Sequence, residues 1–196
     1  TAEDASNLAF AGLFTSILGL NSEAGALKAI RKVADSKRST KAVHYARQQG
    51  IKLGRIGMGI IVQRLINPKY SGVAFSRHPV TDEEVVVIES TYGLCNTLVD
   101  GSVTPDYIEL AKNGDINEIK IGTKKIKSLF RNNGVVTMKA TKSERESLAI
   151  PKNIAKSLAG IVRRIERDFG SPQDIEWAVS GKTIYILQTR PITTIK

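Results

Sequence analysis

The sequence predicts an α+β fold: a helical first stretch, then a mainly antiparallel sheet packed with helices. Three observations carry that reading. Apolar residues recur at helical intervals up to Gln49, whereas from Met58 the chain turns to β-branched and aromatic runs punctuated by turn sequences. The strand-like runs then follow one another, with helices before and after them, instead of alternating with helices as a parallel βαβ sheet requires.

Taken in order, EAGALKAIRKVADS and KAVHYARQQG have the apolar spacing of amphipathic helices, and Gly50 stops the second. MGIIVQRLI, GVAFSRH, EEVVVIEST and PDYIEL read as strands, separated by Asn-Pro-Lys-Tyr-Ser-Gly and Pro-Val-Thr-Asp turns. NEIKIGTK and GVVTMKAT add two strands on either side of a basic segment around Lys124. Ser143 and Glu146 have capping-box spacing, and a helix is expected from Pro151 to Phe169, ended by Gly170. DIEWAV, a turn at Ser180-Gly181-Lys182 and TIYILQT complete the chain as a hairpin.

Composition sets bounds on function. With 196 residues, 41% hydrophobic and 24% charged, the chain can bury a core and is not of disordered type. No apolar run approaches the roughly 20 residues that span a bilayer, and the polar, acidic start is unlike a signal peptide. It opens on Thr1 and not on Met, so a fragment or trimmed product is expected. A single cysteine, Cys95, cannot form an internal disulfide, which makes a reducing, cytoplasmic compartment the default. The net charge of +10, from 29 basic and 19 acidic residues, favours polyanionic partners. It is spread in small clusters without zinc-ligand spacing or aromatic interleaving, so a nucleic-acid module rests on charge alone.

The final hairpin carries the chemistry. Asp174 and Glu176 are two residues apart, as are Gln188 and Arg190, and residues two apart on a strand share a face. A three-residue turn centred on Gly181 sets Glu176 opposite Ile186 and Asp174 opposite Gln188, with all four polar residues on one face above Ile184 and Ile186. Ile175, Trp177 and Val179 then join Tyr185 and Leu187 on the other. A two-residue turn throws the two polar pairs onto opposite faces. Carboxylate and amide oxygens suit Mg²⁺, which usually shares its shell with phosphates and water, and an arginine nearby can grip a phosphate. The plainer reading is an exposed hairpin whose Arg190 forms a salt bridge with a carboxylate. Spacing alone leaves both standing.

DIEWAVSGKTIYILQTRPIT resembles the end of the ATP-binding domain of the phosphoenolpyruvate synthase and pyruvate phosphate dikinase family, including the Asp-x-Glu, the Gln-x-Arg-Pro and the twelve-residue step from Glu176 to Gln188. TAED with FAGLFTSIL, GIIVQRLI, SGVAFSRHPVT and IESTYGL…LVDGSVTPDYIEL follow in the family's order, so the resemblance spans essentially the whole chain. It implies an ATP-grasp fold, in which two α+β lobes close on ATP and phosphorylate a histidine of a separate swivelling domain. Residues 1–52 are then a helical lead-in from the first part of that domain, and 53–196 its C-terminal lobe. The resemblance makes Glu176 and Gln188 Mg²⁺-ATP ligands, Asp174 a support of the metal shell, and Arg190 the catalytic contact to the γ-phosphate. Gln63 falls at the adenine hinge, a reading the surrounding match favours over a plain outward-facing strand glutamine, and Gly12 and Ser16 fall at positions that approach phosphates, where a turn and a helix cap explain them equally simply. Glu89 is expected to face the same cleft.

The chain also departs from the family. Relatives commonly read Gly-Leu-Gly-Glu where this chain has Gly93-Leu94-Cys95-Asn96, so Cys95 is expected as a buried, neutral thiol. Neither His44 nor His78 lies in a phosphohistidine motif. The lobe with the family's ATP-gripping lysine and arginine is missing from this sequence, as is the phosphohistidine domain. The lobe alone is expected to bind weakly and to be inactive, with a homodimer through its exposed face as one outcome. A stand-alone binding or assembly module derived from the lobe is the alternative. The final phosphoryl acceptor (pyruvate, a glucan or a small alcohol) stays open.

Overall fold

The computed structural model describes residues 14–50, 57–132 and 134–192; Gly12 lies outside them. The chain divides into two compact units, Thr1–Leu65 with Asn132–Gly134, and Ile66–Arg131 with Val135–Lys196.

In the first unit, α1 (Glu23–Asp35) and α2 (Thr40–Gln48) are joined by a short 3₁₀ turn, Ser36–Arg38. Each helix starts on a serine whose hydroxyl accepts a free backbone N–H: Ser22 from Gly25 at 3.1 Å and Ser39 from Ala42 at 3.3 Å. Ala29, Ala42 and Ala46 are buried, small side chains on the inward faces. The expected strand over Met58–Ile66 does not form. Residues 57–68 have no regular structure, and Ile61 and Val62 are 87% and 71% exposed. A β-branched run becomes a strand only against a neighbouring strand, and no such ladder exists here among the described residues.

The second unit is an antiparallel sheet backed by one long helix. Its strands are β1 (Tyr70–Phe75), β2 (Val86–Tyr92), β3 (Asp106–Leu110), β4 (Ile116–Lys120), β7 (Gln173–Ser180) and β8 (Thr183–Pro191), in the order β4-β3-β2-β1-β7-β8. β5 (Ile126–Arg131) and β6 (Gly134–Lys139) form a separate two-stranded sheet. β5 occupies the basic segment that the sequence reading left between two strands. A four-residue helix, α3 (Asn96–Val99), was likewise not expected.

α5 (Lys152–Phe169) turns Ala155, Leu158, Ala159 and Val162 inward at helical spacing and ends at Gly170, as its sequence predicts. These side chains pack on Tyr70, Ala74, Ile88, Ile108, Ile175 and Trp177, all on the same side of the sheet. Burying each Leu or Val contributes about 1.5–3 kcal/mol, which fixes the side of the sheet that faces the helix. The other side is thereby left for polar residues. The fully buried Trp177 lies opposite Gly72, where a Cβ would come within 1.9 Å of the Glu89 carbonyl oxygen, so only glycine lets β1 and β2 approach there.

The capping box opens α4 (Lys142–Glu146) two residues before the expected place. Thr141 accepts from the Glu144 N–H at 3.2 Å, and Glu144 accepts from the Thr141 N–H at 2.9 Å. Under the sheet edge, Asp106 and Lys124 form an ion pair with both side chains 0% exposed. Asp106 also accepts from the Gly122 N–H at 2.9 Å and the Ala149 N–H at 2.7 Å, tying β3 to the approaches to β5 and α5. Among the described residues no helix is long and apolar enough to cross a membrane.

Candidate functional site on the polar face of the sheet

The hairpin turn is neither simple alternative. Ser180 pairs with Thr183 around a two-residue turn, Gly181-Lys182, with Gly181 at φ 62°. Such a turn alone would separate the polar pairs. A bulge follows, however: Trp177 pairs with Ile186 but Glu176 with Gln188, leaving Leu187 as the extra residue. The shift of one residue brings the phase back. Glu176 therefore stands directly across from Gln188, and Asp174 across from Arg190, not Glu176 across from Ile186 and Asp174 across from Gln188. Directly opposed residues share a face, so all four side chains lie on the side of the sheet away from α5. Ile184 and Ile186 are opposite Val179 and Trp177, on the helix side, which corrects their expected place beneath the polar group.

The ladder extends the polar row. Val73 of β1 pairs with both Glu176 and Glu89, so Glu89 shares the face of Glu176 one strand further on. Tyr107 lies across from Glu89, and Lys120 across from Tyr107 with its ammonium 5.1 Å from the ring centre. Glu89 thus belongs to this face by register.

Electrostatics distinguish the four hairpin residues. Arg190 donates from Nε and Nη2 to Asp174 Oδ2, at 2.9 and 2.7 Å, while its side chain stays 41% exposed. Burial pushes the Glu176 carboxyl above the usual range; the charge of Asp174 adds to this and Arg190 opposes it. Burial, then Asp174, raises Glu89 in the same way. Glu89, Asp174 and Glu176 thus couple on this face, with the Arg190 guanidinium beside them. That excess of negative charge suits a cation, yet among the described residues no group of three or more His, Cys, Asp or Glu is arranged to hold a metal ion. Glu176 with the Gln188 amide oxygen fits the alternative arrangement, in which one or two protein oxygens share Mg²⁺ with phosphates and water.

Cys95 sits beside these carboxylates. The segment that carries it is pinned by Gly93, which bridges Ser128 of β5 in the left-handed region at φ 75°, and by the Leu94 N–H donating to the Ser128 carbonyl at 2.7 Å. A Cβ on Gly93 would lie 2.0 Å from that carbonyl oxygen. Burial, followed by the charges of Glu176, Glu89 and Asp174, pushes the thiol up to about 12, with Ser71 opposing weakly. Cys95 is a neutral thiol.

The remaining assigned residues belong to the other unit. Ser16 is exposed in a segment without regular structure and caps no helix. Gln63 is exposed within residues 57–68, which form no strand. His78, at a turn position usual for Asn or Asp, accepts through Nδ1 from the Val80 and Thr81 N–H groups at 3.2 and 3.1 Å, as an Asx side chain would.

The family described as pyruvate phosphate dikinase, AMP/ATP-binding domain, matches residues 1–196. The chain belongs to that family. Within this dikinase-type nucleotide-binding domain family, a protein named probable phosphoenolpyruvate synthase from Archaeoglobus fulgidus is 34% identical over 197 residues, covering all of this chain and 26% of its own. Rifampicin phosphotransferase of Bacillus subtilis is also 34% identical over 197 residues, covering all of this chain and 23% of its own. A second probable phosphoenolpyruvate synthase, from Methanothermobacter thermautotrophicus, is 32% identical over 196 residues and matched over 29% of its length. The dikinase-type domain thus spans about a quarter of the curated relatives it matches, which are named as synthases and phosphotransferases.

Proposed function

We propose that this chain is the Mg²⁺-ATP-binding part of a phosphotransferase that passes phosphate from ATP to a histidine of a separate domain. Its residues 1–52 form a lead-in and 53–196 the C-terminal lobe of an ATP-grasp fold. The observation that carries this reading is the register of β7 and β8, with Glu176 across from Gln188 and Asp174 across from Arg190 on one face.

Bound there, Mg²⁺ would offset the charge of the ATP phosphates and of the carboxylates together. Glu176 and Gln188 supply oxygen ligands. Asp174 supports the metal shell and holds Arg190 through its Nε and Nη2. Arg190 exchanges that partner for a γ-phosphate oxygen, a trade of one charge-assisted pair for another. Gly12 and Ser16 keep the phosphate-approaching roles, and Gln63 the adenine-hinge role, that the family resemblance implies. Positioning and charge neutralisation make up most of phosphoryl-transfer catalysis, so this part alone binds weakly and turns over negligibly.

Titration calorimetry of the full 196-residue chain with ATP tests the site. Weak binding that requires Mg²⁺ and is lost in Glu176→Ala is expected; binding indifferent to both would refute it. A second reading, a binding module without catalysis, draws on Asn96 standing where the family motif it resembles commonly has a carboxylate. Supplying a relative's lysine-bearing lobe and histidine domain in trans separates the two, because the module would leave the histidine unphosphorylated.

A further inference from the structure

Far along the chain from the hairpin, a depression of about 550 Å³ is lined by Ile121, Gly122, Thr123, Lys125, Lys142, Arg145 and Glu146. From Gly122 to Glu146 the sequence has seven basic residues against two acidic ones, so much of the chain's positive charge gathers here. Local structure determines which of these charges are free. Lys124 is withdrawn into the buried pair with Asp106, and its neighbour Lys125 is left exposed at the depression. Glu144, between Lys142 and Arg145 in sequence, is engaged by the Thr141 cap and by Lys127. No ion pair among the described residues engages Lys125, Lys142 or Arg145. Three cations and Glu146 therefore line one concavity with a net charge of +2.

The walls are fixed in place. The Gly122 N–H is held by Asp106, and a Cβ on Gly122 would lie 2.0 Å from the Pro105 carbonyl oxygen, so that loop is pressed against the start of β3. On the opposite wall, Lys142 and Arg145 are three residues apart on α4 and share a side of the helix.

We propose that this depression is a second anion site, taking a small polyanion of two or more linked phosphates. Preorganised, uncompensated cations attract clustered negative charge. No aromatic ring lines the depression for base stacking, which single-stranded nucleic acid uses for much of its affinity. An acidic peptide spreads its charges along an extended chain, whereas a polyphosphate concentrates them within the span of three side chains.

The test is an NMR titration of the full chain with inorganic tripolyphosphate in EDTA. Without a divalent cation the carboxylates of Glu89, Asp174 and Glu176 repel the anion from the hairpin face. Shifts are expected at the amides of residues 122–125 and 142–146. Affinity should fall about tenfold in Lys142→Glu/Arg145→Glu, from the reversal of two cations, and stay unchanged in Arg190→Ala. Should the double variant not fold, Lys125→Ala serves, with a smaller loss. Shifts confined to other residues, affinity indifferent to these substitutions, or equal displacement by chloride at matched ionic strength would each overturn the proposal. Tighter binding of an RNA or an acidic peptide at the same residues would overturn its ligand class.

Discussion

Replacing Lys124 with Met removes one half of an ion pair whose two side chains are both 0% exposed. The methionine fills a similar volume, so the cost is mainly electrostatic. Asp106 keeps the Gly122 and Ala149 N–H groups but loses the one countercharge it has among the described residues. Breaking such a buried pair from one side costs about 3–5 kcal/mol; the two remaining hydrogen bonds hold the loss toward the lower figure. Asp106→Ala should cost more, because it strands the ammonium and two backbone donors, each orphan adding about 1–3 kcal/mol. The double variant should be much less destabilised than the sum of the singles, since no charge is then left buried without its partner. Urea unfolding followed by Trp177 fluorescence measures all three. A loss below about 1 kcal/mol for Lys124→Met, or additivity in the double variant, would refute the view that mutual compensation holds this junction.

Three further outcomes follow from the geometry. Glu89 has its carboxyl raised by burial and by Asp174, so its favourable contribution is complete below the unfolded value and lost as pH rises through the folded one. Glu89→Gln should therefore be more stable than the parent at pH 8, and the difference should vanish near pH 4; equal differences at both pH values would contradict this. Cys95, pushed up to about 12, should react with iodoacetamide at pH 7.5 far more slowly than a free thiol and catch up in denaturant, followed by mass spectrometry. Gly72→Ala sets a methyl group on the Glu89 carbonyl and should cost about 1–3 kcal/mol or more, read from the urea midpoint.

Much of this architecture was legible in the sequence because periodicity reports burial. α5 follows its helical spacing to Gly170, and β1, β2, β3 and β7 lie where alternating or β-branched runs predict them. Met58–Ile66 has the same texture without becoming a strand, since local preference cannot provide a neighbour to pair with. β5 was hidden by Lys127 and by Lys124 and Lys125 just before it, which look like a loop until one sees Ile126, Ser128 and Leu129 among and after them. The Asp106–Lys124 pair had no signal, its members being far apart in sequence and joined only by folding. At the hairpin, spacing identified the side chains but not the register. Nothing about Leu187, an ordinary strand residue, announces that it will be skipped.

The turn at Gly181-Lys182 and the skipped Leu187 behave as a parity code for the hairpin. Each changes which side of β8 is odd and which is even, and only the two together return Gln188 and Arg190 to the side of Glu176 and Asp174. Were the ladder to run on without the bulge, Glu176 would face Leu187 and Asp174 would face Thr189, and the two polar pairs would part to opposite sides. A hairpin of this kind is thus better judged by counting turn and bulge together than by aligning its motif.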